Sequence, residues 1–346
     1  MEREFYLRLA SAGLRMPIGT HLVLHEQPDP EAVVRDGERL GRVVAEAARR
    51  FRTPLAFPLM DLKLEKEALL LARDVPPAQV ETFHFAEVPA GEAAFALTPK
   101  MRAACEAIRY VATETDLVPV GTAIGPFSLM TKLVADPIAP VFLAGTGATA
   151  EEEPEVALVE RLLELSCQTI QAYLEAQITA GAKAVILCEP AANTVYFSPN
   201  QLAESYAVFD RYVMEFNRRI REQLRSREVD LIFHDCGELA DEMVRRFAGL
   251  DPAILSLGSS RRLWEDAALV PRTTVLYGNL PTKQFYSDER VTVARVRELS
   301  RELIRRMREA DYPFILGSEC DVLSVPGAEP AIRAKVAAFL EAEEAA

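Results

Sequence analysis

Short apolar runs alternate with longer amphipathic stretches along most of the chain. The runs Pro54–Met60, Leu117–Ile124, Ala184–Cys188, Val229–Phe233, Ala253–Leu257, Thr273–Tyr277 and Pro313–Leu316 are bounded by charge, glycine or proline. Largely apolar runs of that length mark strands covered on both faces. Between the runs, apolar residues recur at helical spacing over 31–51, 98–113, 128–134, 154–179, 198–225, 239–247, 288–309 and 328–341. The punctuation agrees with this reading. Pro30 and Pro199 sit at helix entries, Ser198 is a natural N-cap, Gly181 closes a helix, and Pro137 ends the one before it.

Seven strand ends alternating with helices approach the eight of a (β/α)8 barrel. The eighth strand is expected in the N-terminal third, where Pro17, Gly19, Pro28 and Pro30 break up the periodicity. The expected fold is therefore α/β, a single TIM-type (β/α)8 barrel over residues 1–346. Residues 1–52 or so form an irregular N-terminal extension, a lead-in and helix packed on the barrel. A doubly wound open sheet is the rival, but no glycine-rich phosphate loop follows the first strand.

Composition narrows the class of partner. With 49% hydrophobic and 26% charged residues, the chain can bury a large core. A net charge of -13 argues against a nucleic-acid backbone as partner, which calls for a concentrated Lys/Arg face. No apolar run reaches membrane-spanning length, and the start, Met1-Glu2-Arg3-Glu4-Phe5, lacks the apolar core of a secretory signal, so a cytoplasmic protein away from membranes is expected. Five cysteines, odd in number and irregularly spaced, do not suggest a disulfide framework. Cys105 and Cys167 lie in apolar helical patterns and read as core; the glutamates before Pro154 read as a solvated helix start.

The chemistry-bearing residues gather at strand ends, where barrel enzymes place their sites. Phe233-His234-Asp235-Cys236 puts a His and a Cys two apart, on one side of an extended segment, and Cys320 stands at the end of the last strand. Three such ligands with a fourth position open form the pattern of a catalytic zinc site, although iron and a bland core His with two thiols are also compatible. Such a site could activate a thiol or a water. Glu189 and Asp61 follow strands as well and are candidate catalytic groups, as proton acceptor, resting ligand or polar lining; each could equally cap a helix.

Gly125-Pro126-Phe127-Ser128-Leu129, Gln177-Ile178-Thr179-Ala180-Gly181-Ala182, Ser198-Pro199, His234-Asp235-Cys236-Gly237, Gly278-Asn279 and Gly317-Ser318-Glu319-Cys320 together resemble the uroporphyrinogen decarboxylase family, from about Asp61 to the end. True decarboxylases of that family carry an N-terminal arginine motif of the Met-Arg-Gln-Ala-Gly-Arg type; here Arg8, Arg15 and Arg35 stand in unrelated contexts. The zinc-binding branch, similar to methylcobamide:coenzyme M methyltransferases, uses His-x-Cys and a distant Cys, which match His234, Cys236 and Cys320. The resemblance implies transfer of a methyl group from a methylcorrinoid (cobalamin), carried on a corrinoid protein, to a zinc-activated thiol or related small-molecule acceptor. It also implies Gly125, Phe127 and Asn279 as cofactor-binding positions. The chain departs from the family at Asn279-Leu280-Pro281-Thr282, where many members have Asp-Pro after Gly-Asn. A decarboxylase or lyase, or a non-catalytic corrinoid-binding partner, are the alternatives.

Overall fold

The computed structural model describes residues 1, 3–92 and 95–342. Eight strands follow one another as β1 (Arg15–Ile18), β2 (Leu55–Ala56), β3 (Val118–Ile124), β4 (Ala184–Cys188), β5 (Asp230–Asp235), β6 (Ile254–Leu257), β7 (Val275–Leu280) and β8 (Phe314–Asp321). All pairings are parallel, in the order β1-β8-β7-β6-β5-β4-β3-β2, with helices between the strands. This is the expected TIM-type barrel. The strand hidden from the periodicity is β1, inside the stretch read as lead-in; at four residues with a proline in the middle it is too short to announce itself.

Strand parity divides the core in two. Ala184, Ile186 and Cys188 of β4 face the barrel interior with Ile232, Ile254, Val275 and Ile315, while Val185, Leu187, Leu231 and Phe233 face the helices. In register, Ile186, Ile232 and Ile254 form one interior layer, and Cys188, His234, Ser256 and Tyr277 the next layer toward the strand C-termini. The interior thus changes from aliphatic to polar at the mouth, because a barrel strand must fill its middle but can solvate its end. The opposite end is closed by the helix Arg3–Ser11, whose Tyr6 is fully buried against that interior cluster.

No strand ladder joins β1 to β2 among the described residues. Side chains close that seam instead: Thr20 Oγ1 donates to Phe57 O at 2.6 Å, and Thr53 Oγ1 to Met16 Sδ at 2.9 Å.

Two expected helices are broken. The 31–51 stretch is Pro30–Val33 followed by Gly37–Arg50, because Asp36 turns extended and its carboxylate accepts from Arg39 N to start a new helix. The 198–225 stretch is Pro199–Glu204, Ala207–Phe209 and Glu215–Ser226, with a π-helical turn at Asp210–Met214. Strands β5 and β8 run past the expected ends at Phe233 and Leu316, so His234 and Cys320 lie within strands.

Candidate metal centre

β5 and β8 are separated by two strands, yet His234, Cys236 and Cys320 converge at the mouth with their ligand atoms all within 4.8 Å of one another. Among the described residues this is the one His/Cys/Asp/Glu group of that kind. Cys236 follows directly on β5, and its backbone is shaped by Asp235, whose Oδ1 accepts from Gly237 N at 2.7 Å.

His234 is 1% exposed, and its Nδ1 lies 2.8 Å from Ser256 Oγ, the residue paired with it on β6. Its Nε2 is buried without any hydrogen-bond partner. An unpaired imidazole nitrogen in a dry site is costly, and a metal ion satisfies it; a hydrogen bond on the other ring nitrogen is what fixes a ligating tautomer. The two sulfurs are 3.9 Å apart, well beyond disulfide length, and both are free thiols. The contact between the two sulfurs pulls the Cys236 thiol far below its ordinary range and raises that of Cys320. Two soft sulfurs and one imidazole nitrogen fit zinc better than an oxygen-seeking cation.

Lys283, on the turn after β7, completes the electrostatics. Burial works against its charge, but the sulfurs of Cys236 and Cys320 outweigh it, so its ammonium is held above the usual range. Its backbone N donates to Glu319 Oε1 at 3.2 Å, and Ser259 Oγ donates to Glu319 Oε2 at 2.6 Å, tying the turns after β6 and β7 to the strand that carries Cys320. Sequence reasoning missed Ser256 and Lys283, and named Glu319 without assigning it a role. Aligning strand ends would have put Ser256 beside His234; Glu319 stands inside the block Gly317-Ser318-Glu319-Cys320, which gives it no role, and nothing in the local pattern around Lys283 points to it.

The other expected site residues lie outside this cluster. Glu189 is fully buried behind β4, accepting from Ser128 N at 2.5 Å and Asn217 Nδ2 at 3.0 Å, and burial pushes its carboxyl up to about 7. Gly125 is the residue whose missing side chain makes room for it: a Cβ there would overlap the Glu189 carboxylate. Phe127 is fully buried, packed on Tyr196 and Phe197 in the outer core. Asn279, within β7, donates from Nδ2 to Gly258 O and Arg261 O, both at 2.8 Å, tying that strand to the turn after β6. Asp61 is half-buried after β2, accepting from Lys63 N at 3.2 Å. Cys105 and Cys167 are core thiols, as their patterns suggest.

The fold has solved relatives. A methyltransferase from Methanosarcina mazei superposes with a TM-score of 0.63 at 14% identity, covering 94% of this chain and 91% of its own. A B12-independent methionine synthase from Shewanella sp. W3-18-1 aligns at a TM-score of 0.46 and 11% identity, over 73% of this chain and 68% of its own. No curated protein matches the chain in sequence. The family model described as uroporphyrinogen decarboxylase (URO-D) matches residues 33–342, nearly the whole barrel, and on that match the chain belongs to the uroporphyrinogen decarboxylase family.

Proposed function

We propose that this chain is a zinc-dependent methyltransferase that moves a methyl group from a methylcorrinoid, carried on a partner corrinoid protein, to the sulfur of a small-molecule thiol. The observation that carries the reading is the convergence of His234 Nε2, Cys236 and Cys320, with that nitrogen otherwise unpartnered in a buried site. A zinc ion held by these three supplies Lewis acidity that lowers the pKa of an incoming thiol, making it a nucleophile at neutral pH.

The chain's own residues prepare that chemistry. Ser256 holds the His234 ring so that Nε2 faces the sulfurs, and the Asp235–Gly237 turn aims Cys236. An acceptor that arrives as an anion adds negative charge to a site already holding two sulfurs, and the Lys283 ammonium beside Cys236 offsets it. The segments that follow the strand C-termini also carry exposed apolar side chains, Ile138 and Phe142 after β3, Val195 after β4, Tyr286 after β7 and Leu323 after β8. Exposed apolar groups on these segments would suit a large partner docking on that face.

The decarboxylase alternative calls for free arginines to hold carboxylates. Arg8 pairs with Glu4, Arg35 with Glu31, and Arg15 donates to Leu340 O. The test combines metal analysis with transfer from methylcobalamin to a panel of thiols. One zinc per chain and thiol methylation, both lost in Cys236→Ser, are expected. Protein that retains no zinc, or full transfer by Cys236→Ser, would overturn the proposal.

A further inference from the structure

Four of the chain's seven lysines, Lys63, Lys66, Lys100 and Lys132, line one pocket of about 550 Å3 on the segments after β2 and β3. In a molecule with a net charge of -13 that is a concentrated cationic spot. Its acids are Asp61, Glu67 and Glu81. Glu81 neutralises Lys63 at 2.9 Å, and Asp61 accepts from the Lys63 backbone N. Lys66 is 8% exposed and donates only to a neutral carbonyl, Glu81 O, at 3.0 Å. Lys100 and Lys132 have no hydrogen bond or ion pair among the described residues. Burial is the main cause that lowers the pKa of Lys66 and of Lys132; a neighbouring lysine lowers each further, against Glu81 on Lys66 and Asp61 and Glu65 on Lys132, which only partly offset it. Like charges held together in a partly dry pocket are unfavourable until an anion joins them.

A second opening meets this pocket at Asp61 and Lys100, which line both. It is a narrow slot of about 50 Å3, walled by apolar residues such as Val44, Ala107 and Val111, and it reaches Tyr173. Tyr173 is 1% exposed, and its hydroxyl has no partner. An engineered cavity of ~150 Å3 takes benzene, and one water needs roughly 10–15 Å3, so this slot has the size for a short chain and not for a ring. An apolar slot with two unsatisfied buried hydroxyls, those of Thr122 and Tyr173, in its wall and cations at its mouth is built as ligand sites are.

We infer that this composite site binds a small carboxylate with a short apolar chain and an oxygen at its buried end. The carboxylate sits among Lys66, Lys100 and Lys132, and the far oxygen accepts from the Tyr173 hydroxyl. The inference does not rest on methyl transfer or on zinc, because none of these residues belongs to the metal cluster.

Calorimetric titration of the full chain with pentanoate, 4-oxopentanoate, hexanoate and 5-oxohexanoate tests it. Saturable binding is expected, with at least one oxo acid bound about tenfold more tightly than its parent, roughly what one added hydrogen bond contributes. Lys132→Gln should weaken every acid about tenfold. Tyr173→Phe, which strips a hydroxyl that bonds to nothing in the fold, should erase the oxo preference alone. Chelation of zinc and Cys236→Ser should change neither result. Absence of saturable binding, equal affinity for inorganic phosphate without oxo preference, or insensitivity to Lys132→Gln would overturn the assignment.

Discussion

Ser256 and Glu65 show how much a single neighbour decides. Ser256 reaches no ligand position itself, but its hydroxyl fixes which nitrogen of His234 is left free. Ser256→Ala is expected to lower zinc affinity roughly 10- to 100-fold with the fold intact, read by chelator competition. Glu65 is 1% exposed, with Oε1 accepting from Ile124 N and Oε2 unpartnered, and burial pushes its carboxyl up to about 8. The folded chain therefore keeps a proton on Glu65 where the unfolded chain has lost it. Stability from this group is fully present below the ordinary carboxyl range and falls as pH rises toward about 8. Glu65→Gln removes that loss, so its melting temperature relative to wild type should climb between about pH 5 and about pH 9. A flat difference across that range would exclude a proton held on Glu65.

Glu189 and Gly125 belong to the junction of β3, β4 and the helix Pro126–Thr131. The sequence marks both, one as an acid at a strand end and one as a family glycine. Their relation is invisible there, since it depends on a side chain from β4 reaching the helix that follows β3. The carboxyl caps that helix by accepting from Ser128 N, and the glycine is the space it occupies. Gly125→Ala should destabilise by about 1–3 kcal/mol in urea unfolding, as overpacking does. In Glu189→Ala the same substitution should cost far less, a coupling that a double-mutant cycle reads directly. The helix breaks at Asp36 and at Asp210–Met214 were illegible for a related reason: apolar spacing continues across them, and only cap and π-turn geometry ends the element.

The barrel as a whole was legible because seven strands lie in largely apolar runs, as parallel strands buried on both faces do. β1 was not, since four residues carry no period, and β2 is a two-residue ladder within a longer apolar run. The metal cluster was legible for the same reason that the barrel was: once strand ends share a face, a His-x-Cys and a distant Cys can meet. The seam between β1 and β2, closed by side chains, should be the least protected part of the wall. Amides of Leu55 and Ala56 are expected to exchange with solvent faster than those of β4 and β5, measured by hydrogen exchange. The apolar rim makes a different prediction. Phe142→Asp should slow methyl transfer from a corrinoid protein several-fold while leaving transfer from free methylcobalamin unchanged.

The three ligands come from β5 and β8, the fifth and the last strand to be made. On the ribosome, a chain that has emerged as far as β7 displays His234 and Cys236 with no third partner. To an ion it would offer only a two-point hold, and under the proposed metal role selective capture would wait until Cys320 is out and the wall has closed. Loading would then follow closure of the barrel wall, and a loaded site would mark a closed barrel.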